Sequence, residues 1–494
     1  MRYLAGFDAG SSSVKGTLID AASGKVVATH TSPSTELKII APHPGWAEQS
    51  PATWWKHFCI ISRALLRKVR PADVEAIGIS YQMHGLVIVD ERKRPLRPAI
   101  IWCDGRTQPM ADRAARDLGR GFLNRALNHP GNFTASKLAW VKKTEPATFK
   151  RIYKAMLPGD YLAMRLTGEI CTTPSGLSEG ILWDFRTQGL LGPILDYYKL
   201  DPELLADVKP TFSVQGELTA AAARRTGFAR GTPVSYRAGD QPNNALSLGV
   251  LEPGEVATTA GTSGVIYAVT DRNVPDRRSR VNVFVHVNHD PPRRNRYGVL
   301  ACINGTGALY RWLRDLTGGD YAGMNRRAAA VEPGADGLVI VPYGNGPERV
   351  QGGRNTGMSI HCADLNRHDA GHLARAAQEG IVFALRQGTD VMGEMGVRIR
   401  TVRAGRANMF LSDLFATIFA SVIGAQVELM DTDGSQGAAR GAGIGAGVYR
   451  TAADAFVGLK PVKTVSPDAK LRKTYAALYP KWARAVDSTL AQVR

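Results

Sequence analysis

The 494-residue chain has only five cysteines, Cys59, Cys103, Cys171, Cys302 and Cys362, scattered, odd in number and without a C-x-x-C pair. Such a set supports neither a disulfide framework nor a zinc ribbon, so reduced thiols are expected. Long apolar runs are also missing. The N-terminus passes from Met1-Arg2-Tyr3 into a polar, glycine- and serine-rich stretch with no apolar block. Neither a signal peptide nor a spanning helix is expected, and the reading is a soluble, cytoplasmic protein with no membrane partner. Lysine is absent between Lys209 and Lys460, although the chain holds 62 Lys and Arg and a formal charge of +18. The gap reads as compositional bias. The clusters Arg277-Arg278, Arg293-Arg294 and Arg326-Arg327 are isolated, with no zinc finger, basic zipper or RNA-binding aromatic signature, so nucleic acid is not an expected partner.

Several catalytic signatures are absent too. There is no Walker A sequence, no H-E-x-x-H, and no G-x-S-x-G in a strand-to-helix setting, which leaves P-loop NTPase, zincin and α/β-hydrolase unsupported. The glycines Gly441, Gly443, Gly445 and Gly447 lack dinucleotide-fold spacing and read as close helix packing.

What is present is an ordinary globular balance, 44% hydrophobic and 21% charged, long enough for two or three domains. β-like runs at Tyr3 to Phe7, Gly16 to Ile19, Val26 to Thr29, Ala76 to Ser80 and Leu86 to Val89 alternate with helical ones. In Thr53 to Val69, Trp54, Phe58, Ile61 and Leu65 share one face of a helix. The class is α/β. The first two strands are too close in sequence for a crossover and must form an antiparallel hairpin.

That hairpin recurs about half a chain later. Ala9-Gly10-Ser11-Ser12-Ser13-Val14 matches Ala260-Gly261-Thr262-Ser263-Gly264-Val265, which suggests two related lobes. Turns of glycine and hydroxyl residues expose backbone N–H groups and suit phosphate oxygens, whereas each turn alone is ordinary hairpin chemistry. The lobe boundary falls near 245–255, at the turn Leu251-Glu252-Pro253-Gly254. Asp8 precedes the first turn, where a carboxylate tolerates phosphate if a divalent cation intervenes; the plainer reading is an Asp bonded to its own turn. Asp240 follows the β-like run Pro233 to Tyr236 and a glycine. There it can serve as a base toward a hydroxyl nucleophile, with Gln241 holding another hydroxyl, or simply cap a helix.

Taken in order, seven motifs resemble the FGGY family of carbohydrate kinases: Phe7-Asp8-Ala9-Gly10-Ser11-Ser12-Ser13-Val14-Lys15; Pro44-Gly45-Trp46-Ala47-Glu48-Gln49 with Trp54; Ser80-Tyr81-Gln82-Met83-His84-Gly85; Trp102-Cys103-Asp104-Gly105-Arg106; Gly159-Asp160-Tyr161-Leu162; Ala238-Gly239-Asp240-Gln241; and Gly261-Thr262-Ser263-Gly264. The match runs from about residue 3 to residue 450.

The resemblance implies two actin-like (ribonuclease H-like) lobes around an interdomain cleft: a sugar-binding lobe over 1–248, an ATP-binding lobe over 249–455, and a helical tail over 456–494. It implies Asp240 as catalytic base, with Asp8 and Asp240 at Mg²⁺. Gln82, Met83, His84, Trp102, Asp104, Asp240 and Gln241 are placed at the sugar. Ser11, Ser12, Ser13, Lys15, Gly261, Thr262, Ser263, Gly405 and Asn408 are placed at ATP. The Gln82–Gly85 stretch is most like that of family members acting on xylulose, so the implied reaction is ATP-dependent phosphorylation of a ketopentose, D-xylulose foremost, with ribulose or another polyol as alternatives. From another class, an actin- or Hsp70-like ATPase is the competing reading. Two departures stand out: Gln241, where many relatives on xylulose carry Asn, and Ala404 and Arg406, where the family has adenine-site glycines. A homodimer is the assembly to look for.

Overall fold

The computed structural model describes residues 1–492. The chain divides into two compact units. The first comprises 1–249, 284–297 and 432–459, and the second takes the remaining described residues from Val250 onward.

In the first unit the opening segments form β1 (Tyr3–Ala9), β2 (Val14–Asp20) and β3 (Val26–Ser32), each antiparallel to the next. β4 (Val74–Tyr81) lies parallel to β1. β5 (Phe212–Glu217) and β6 (Pro233–Gly239) complete a six-stranded sheet of order β5-β6-β4-β1-β2-β3, with β6 parallel to β4. The helix Pro51–Leu65 covers one face, burying Trp54, Phe58, Ile61 and Leu65 as their spacing requires. It stops at Leu65, short of the Val69 read from the sequence.

The other face is covered by the helix Gly434–Gly445, which arrives from the far end of the chain. A Cβ at Gly6 would lie 2.0 Å from the Ser435 carbonyl oxygen, and one at Gly445 would lie 1.8 Å from that of Ser235. The glycine run is thus what lets helix and sheet backbones touch. This packing also explains why 432–459, read from the sequence as the end of the second lobe and the start of the tail, belongs to the first unit.

The second unit repeats the plan. β7 (Glu255–Ala260) and β8 (Gly264–Thr270) form the second hairpin. With β9 (Asn282–Val285), β10 (Tyr297–Ile303), β11 (Thr401–Gly405), β12 (Gln426–Met430) and β13 (Pro461–Val465) they make a seven-stranded sheet of order β9-β10-β8-β7-β11-β12-β13. β7, β11 and β12 are parallel, as β1, β4 and β6 are. An antiparallel hairpin continued by parallel strands, twice in one chain, is the actin-like pattern. The C-terminal segment adds β13 and the helix Ala469–Gln492, whose buried Trp482 donates to the Ile340 carbonyl at 2.9 Å. It is integral to this unit and not a separate tail. Among the described residues no helix is long and apolar enough to cross a membrane.

Candidate active site

Asp8 sits at the end of β1, directly before the turn Gly10–Ser13. It does not bond to its own turn: Ser80 at the end of β4 donates to Oδ1 at 2.8 Å. Gly434 packs so closely that a Cβ there would lie 2.4 Å from Oδ2. Burial raises the Asp8 carboxyl above the usual carboxylate range against that hydrogen bond, and the negative charge of Asp433 adds to the rise. Lys15, opposite Asp8 in the β1–β2 register, donates to Asp433 at 2.7 Å.

Three carbonyls of the Gly10–Ser13 turn are occupied. The Ser11 oxygen accepts from Gln49 Nε2 at 2.6 Å, Ser12 from the Leu37 N–H at 2.8 Å, and Ser13 from the Gly10 N–H at 3.0 Å. With these three carbonyls engaged, the turn presents chiefly the chemistry of its N–H and hydroxyl groups. The second unit uses the same device. The Gly261 carbonyl accepts from the Gly307 N–H at 2.7 Å and Thr262 from Ala308 at 3.1 Å, docking the start of the helix Gly307–Thr317 onto the turn. Asn408, in a left-handed conformation at φ 54°, stands against Gly261, with Nδ2 3.4 Å from where a Cβ would be. Gly405 closes β11 beside it, and Arg406 is exposed, its N–H bonded to the Met430 carbonyl.

Asp240 opens the helix Asp240–Ser247 at the end of β6, and the N-cap is Gly239, so Asp240 is not spent as a cap. Burial, and then the charge of Asp8, push its carboxyl up to about 7, against hydrogen bonds from the backbone and side chain of Gln241. A buried carboxyl raised by a second carboxylate suits a divalent cation; among the described residues no set of three or more His, Cys, Asp or Glu is gathered to hold one unaided. That arrangement fits Mg²⁺, which binds through one or two carboxylates and relies on phosphate and water for the rest.

Around Asp240 the chain brings together Met83, whose Cγ lies 2.6 Å from where a Gly239 Cβ would project, and the loop carrying Gln82 and His84. Gln82 is buried and donates from Nε2 to Gln49 Oε1 at 3.1 Å. The Trp54 indole N–H also donates to that oxygen, and indole can only donate, which fixes both amide orientations and makes the free end of Gln82 an acceptor. His84 adopts φ 62° and its Nδ1–H donates to the Glu179 carbonyl at 2.7 Å. Trp102, 46% exposed, donates to Ser11 Oγ at 3.4 Å.

Residues 3–247 match the N-terminal domain and 256–449 the C-terminal domain of the FGGY family of carbohydrate kinases. The chain belongs to this family. It is 30% identical to a xylulose kinase of Escherichia coli over 96% of each chain, and 34% identical to one of Streptomyces coelicolor over 78% of this chain and 76% of the other. The crystal structure of xylulose kinase from Rhodospirillum rubrum superposes with a TM-score of 0.87 at 27% identity, covering 99% of both chains. As an FGGY kinase, the protein is an enzyme that takes a small-molecule sugar and ATP.

Against this family frame, one assignment is corrected. Asp104 is fully buried, and its carboxylate accepts from the Ala47 N–H at 2.6 Å and from Arg106 Nε and Nη2 at 2.7–3.0 Å. Arg106 in turn stacks on Trp46, 3.7 Å from the ring centre. Asp104 therefore braces the loop that carries Trp102, and its oxygens are spent on protein donors.

Other residues escaped the sequence. Asp433 and Gly434 approach Asp8 from more than four hundred residues away, and no local pattern announces that. Glu179 is buried at the end of the helix Pro174–Glu179, accepts from Tyr81 Oη at 2.5 Å and turns Oε2 toward Gly239; burial holds its carboxyl well above the usual range. In the second unit Glu348 is buried and accepts from the N–H groups of Asn304 and Gly305, at the approach to the Gly307–Thr317 helix. A carboxyl among polar neighbours is the only sequence signal either glutamate carries.

Proposed function

We propose that the protein transfers the γ-phosphoryl group of ATP to the terminal hydroxyl of D-xylulose, giving D-xylulose 5-phosphate and ADP. The observation that carries this reading is Asp240: a carboxyl at a strand end, poised at about 7, flanked by Met83 and by the loop that fixes an acceptor amide and the His84 imidazole. The relatives named xylulose kinase, matched over nearly the whole chain, supply the sugar.

Asp240 takes the proton of the attacking hydroxyl as the oxygen bonds to phosphorus, and ADP leaves with the bonding electrons. Gln82 Oε1 accepts from a sugar hydroxyl beside His84, and Gln241 orients the base. In the first unit the N–H and hydroxyl groups of Ser11–Ser13, with Lys15, suit phosphate oxygens; in the second, those of Thr262–Ser263, with Gly261, Gly405 and Asn408, suit the nucleotide. Mg²⁺, held near Asp8 and Asp240, would neutralise charge on the β- and γ-phosphates. A cytoplasmic location, where ATP is supplied, goes with this chemistry.

The test is ADP release with MgATP across D-xylulose, D-ribulose, L-ribulose, glycerol and no acceptor. Selective turnover of D-xylulose is expected. Preference for another acceptor would overturn the substrate, and acceptor-independent hydrolysis alone would overturn the transfer.

A further inference from the structure

Two loops present the acceptor residues of the reaction proposed above: one runs through Gln82, Met83 and His84, the other from Ile101 through Trp102. They part from a single backbone bridge, Leu86 with Ile100. Beyond it the loops share no ladder, and what spaces them is the start of the helix Thr134–Thr144. Thr134 Oγ1 donates to the Gly85 carbonyl at 3.2 Å, holding the first loop. Asn132 Nδ2 donates to the Trp102 and Asp104 carbonyls at 3.0 and 2.9 Å, holding the second. Phe133 sets its ring edge-on to His84 at 4.6 Å.

Lys137 reaches both. Its Nζ donates to the His84 carbonyl at 2.6 Å and to the Ile101 carbonyl at 3.0 Å, and the residue is completely buried. The His84 carbonyl belongs to a residue in the left-handed region, a conformation a non-glycine side chain keeps only where its surroundings hold it.

We infer that Lys137 is a positioning residue of the acceptor site, its ammonium setting the separation between the His84 loop and the Trp102 loop by binding one carbonyl of each. The inference rests on the reading of these loops as the sugar site. A buried amine is costly unless its hydrogen bonds are made, and burial brings this one down to about 7, the charges of Asp104 and Cys103 opposing the fall and that of Arg106 adding to it. Methionine would fill the same space without that cost, so the donors are what the position uses.

Lys137→Met removes both donors. Its expected effect is a rise of about tenfold or more in KM for D-xylulose, with KM for MgATP unchanged, as for loss of hydrogen bonds from a charged group. Leu138→Ala, at the next and equally buried position, is the control: it loses packing yet leaves both loop carbonyls bonded, so it lowers thermal stability without moving the sugar KM. Hydrogen exchange of peptides covering 82–86 and 100–106 is read on the same proteins and accelerates in Lys137→Met alone. If Lys137→Met does not fold, Lys137→Gln, which retains one amide donor, is measured in its place and shows a smaller change in the same direction. An unchanged sugar KM, or an equal rise in Leu138→Ala, would overturn the inference. Absence of xylulose turnover in the wild type would instead strike the proposed substrate, and the exchange data would still decide whether Lys137 holds the loops.

Discussion

Lys15 and Asp433 lie 418 positions apart in the chain and close a 2.7 Å ion pair within the first unit. Asp433 also caps the helix Gly434–Gly445, accepting from the N–H groups of Ser435 and Gln436. One carboxylate thus ties the strand after the Gly10–Ser13 turn to the helix that packs against Asp8. Lys15→Met leaves Asp433 beside Asp8 without a cation, deepening the negative potential near the Gly10–Ser13 turn. The expected result is a rise of about tenfold in KM for MgATP. The pair is partly exposed, so stability should fall by only about 1 kcal/mol or less. Steady-state kinetics and a denaturation curve check both; an unchanged KM would remove Lys15 from the nucleotide site.

Gly434→Ala drives a methyl group to within 2.4 Å of Asp8 Oδ2, and one of the two must move. A displaced Asp8 should lower kcat by about tenfold or more and raise the Mg²⁺ concentration needed for half-maximal rate, while circular dichroism stays native. A variant with wild-type kcat and Mg²⁺ response would show that Asp8 has no part in the reaction.

Local patterns carried much of this site into the sequence. The two glycine-and-hydroxyl turns, the helix beneath Trp54 and Phe58, and the strand leading to Asp240 are all periodicity or turn chemistry, legible over ten residues. Asp433, Gly434, Glu179 and Lys137 were not legible, because their roles arise from what folding brings to them. Lys137 reads in sequence as one lysine of a helix, and only its complete burial against the His84 and Ile101 carbonyls distinguishes it from the more exposed Lys142 and Lys143. Asp104 shows the converse: its motif placed it at the sugar, and burial beside Arg106 gives it a bracing role.

Asp240→Asn keeps the shape of the side chain and removes the base. Sugar phosphorylation should fall by about a thousandfold or more while nucleotide affinity, followed by ADP titration, stays within about threefold. In the wild type, kcat/KM for the sugar should rise with pH through about 7 and then level, because below that value the Asp240 carboxyl is already protonated. A flat profile from pH 5.5 to 8.5, pH values chosen to span about 1.5 units either side, would contradict Asp240 as the base.

Lys137 predicts a pH dependence of stability. Its folded-state value of about 7 lies below the ordinary lysine value of 10.5, so between these limits the unfolded chain binds a proton that the folded chain has released. Stability conferred relative to Lys137→Met should therefore increase from pH 7 toward pH 10 and be flat below 7. Urea midpoints of the two proteins at several pH values check this; a wild-type midpoint that falls relative to that of Lys137→Met as pH rises above 7 would refute it.

The central claim is transfer of phosphoryl from ATP to a ketopentose hydroxyl, and product analysis tests it most directly. Wild-type protein incubated with MgATP and D-xylulose should yield one D-xylulose 5-phosphate per ADP, identified by mass and by ³¹P NMR, with no free phosphate above the sugar-free control. ADP accompanied by an equal amount of inorganic phosphate, with or without sugar, would contradict the account.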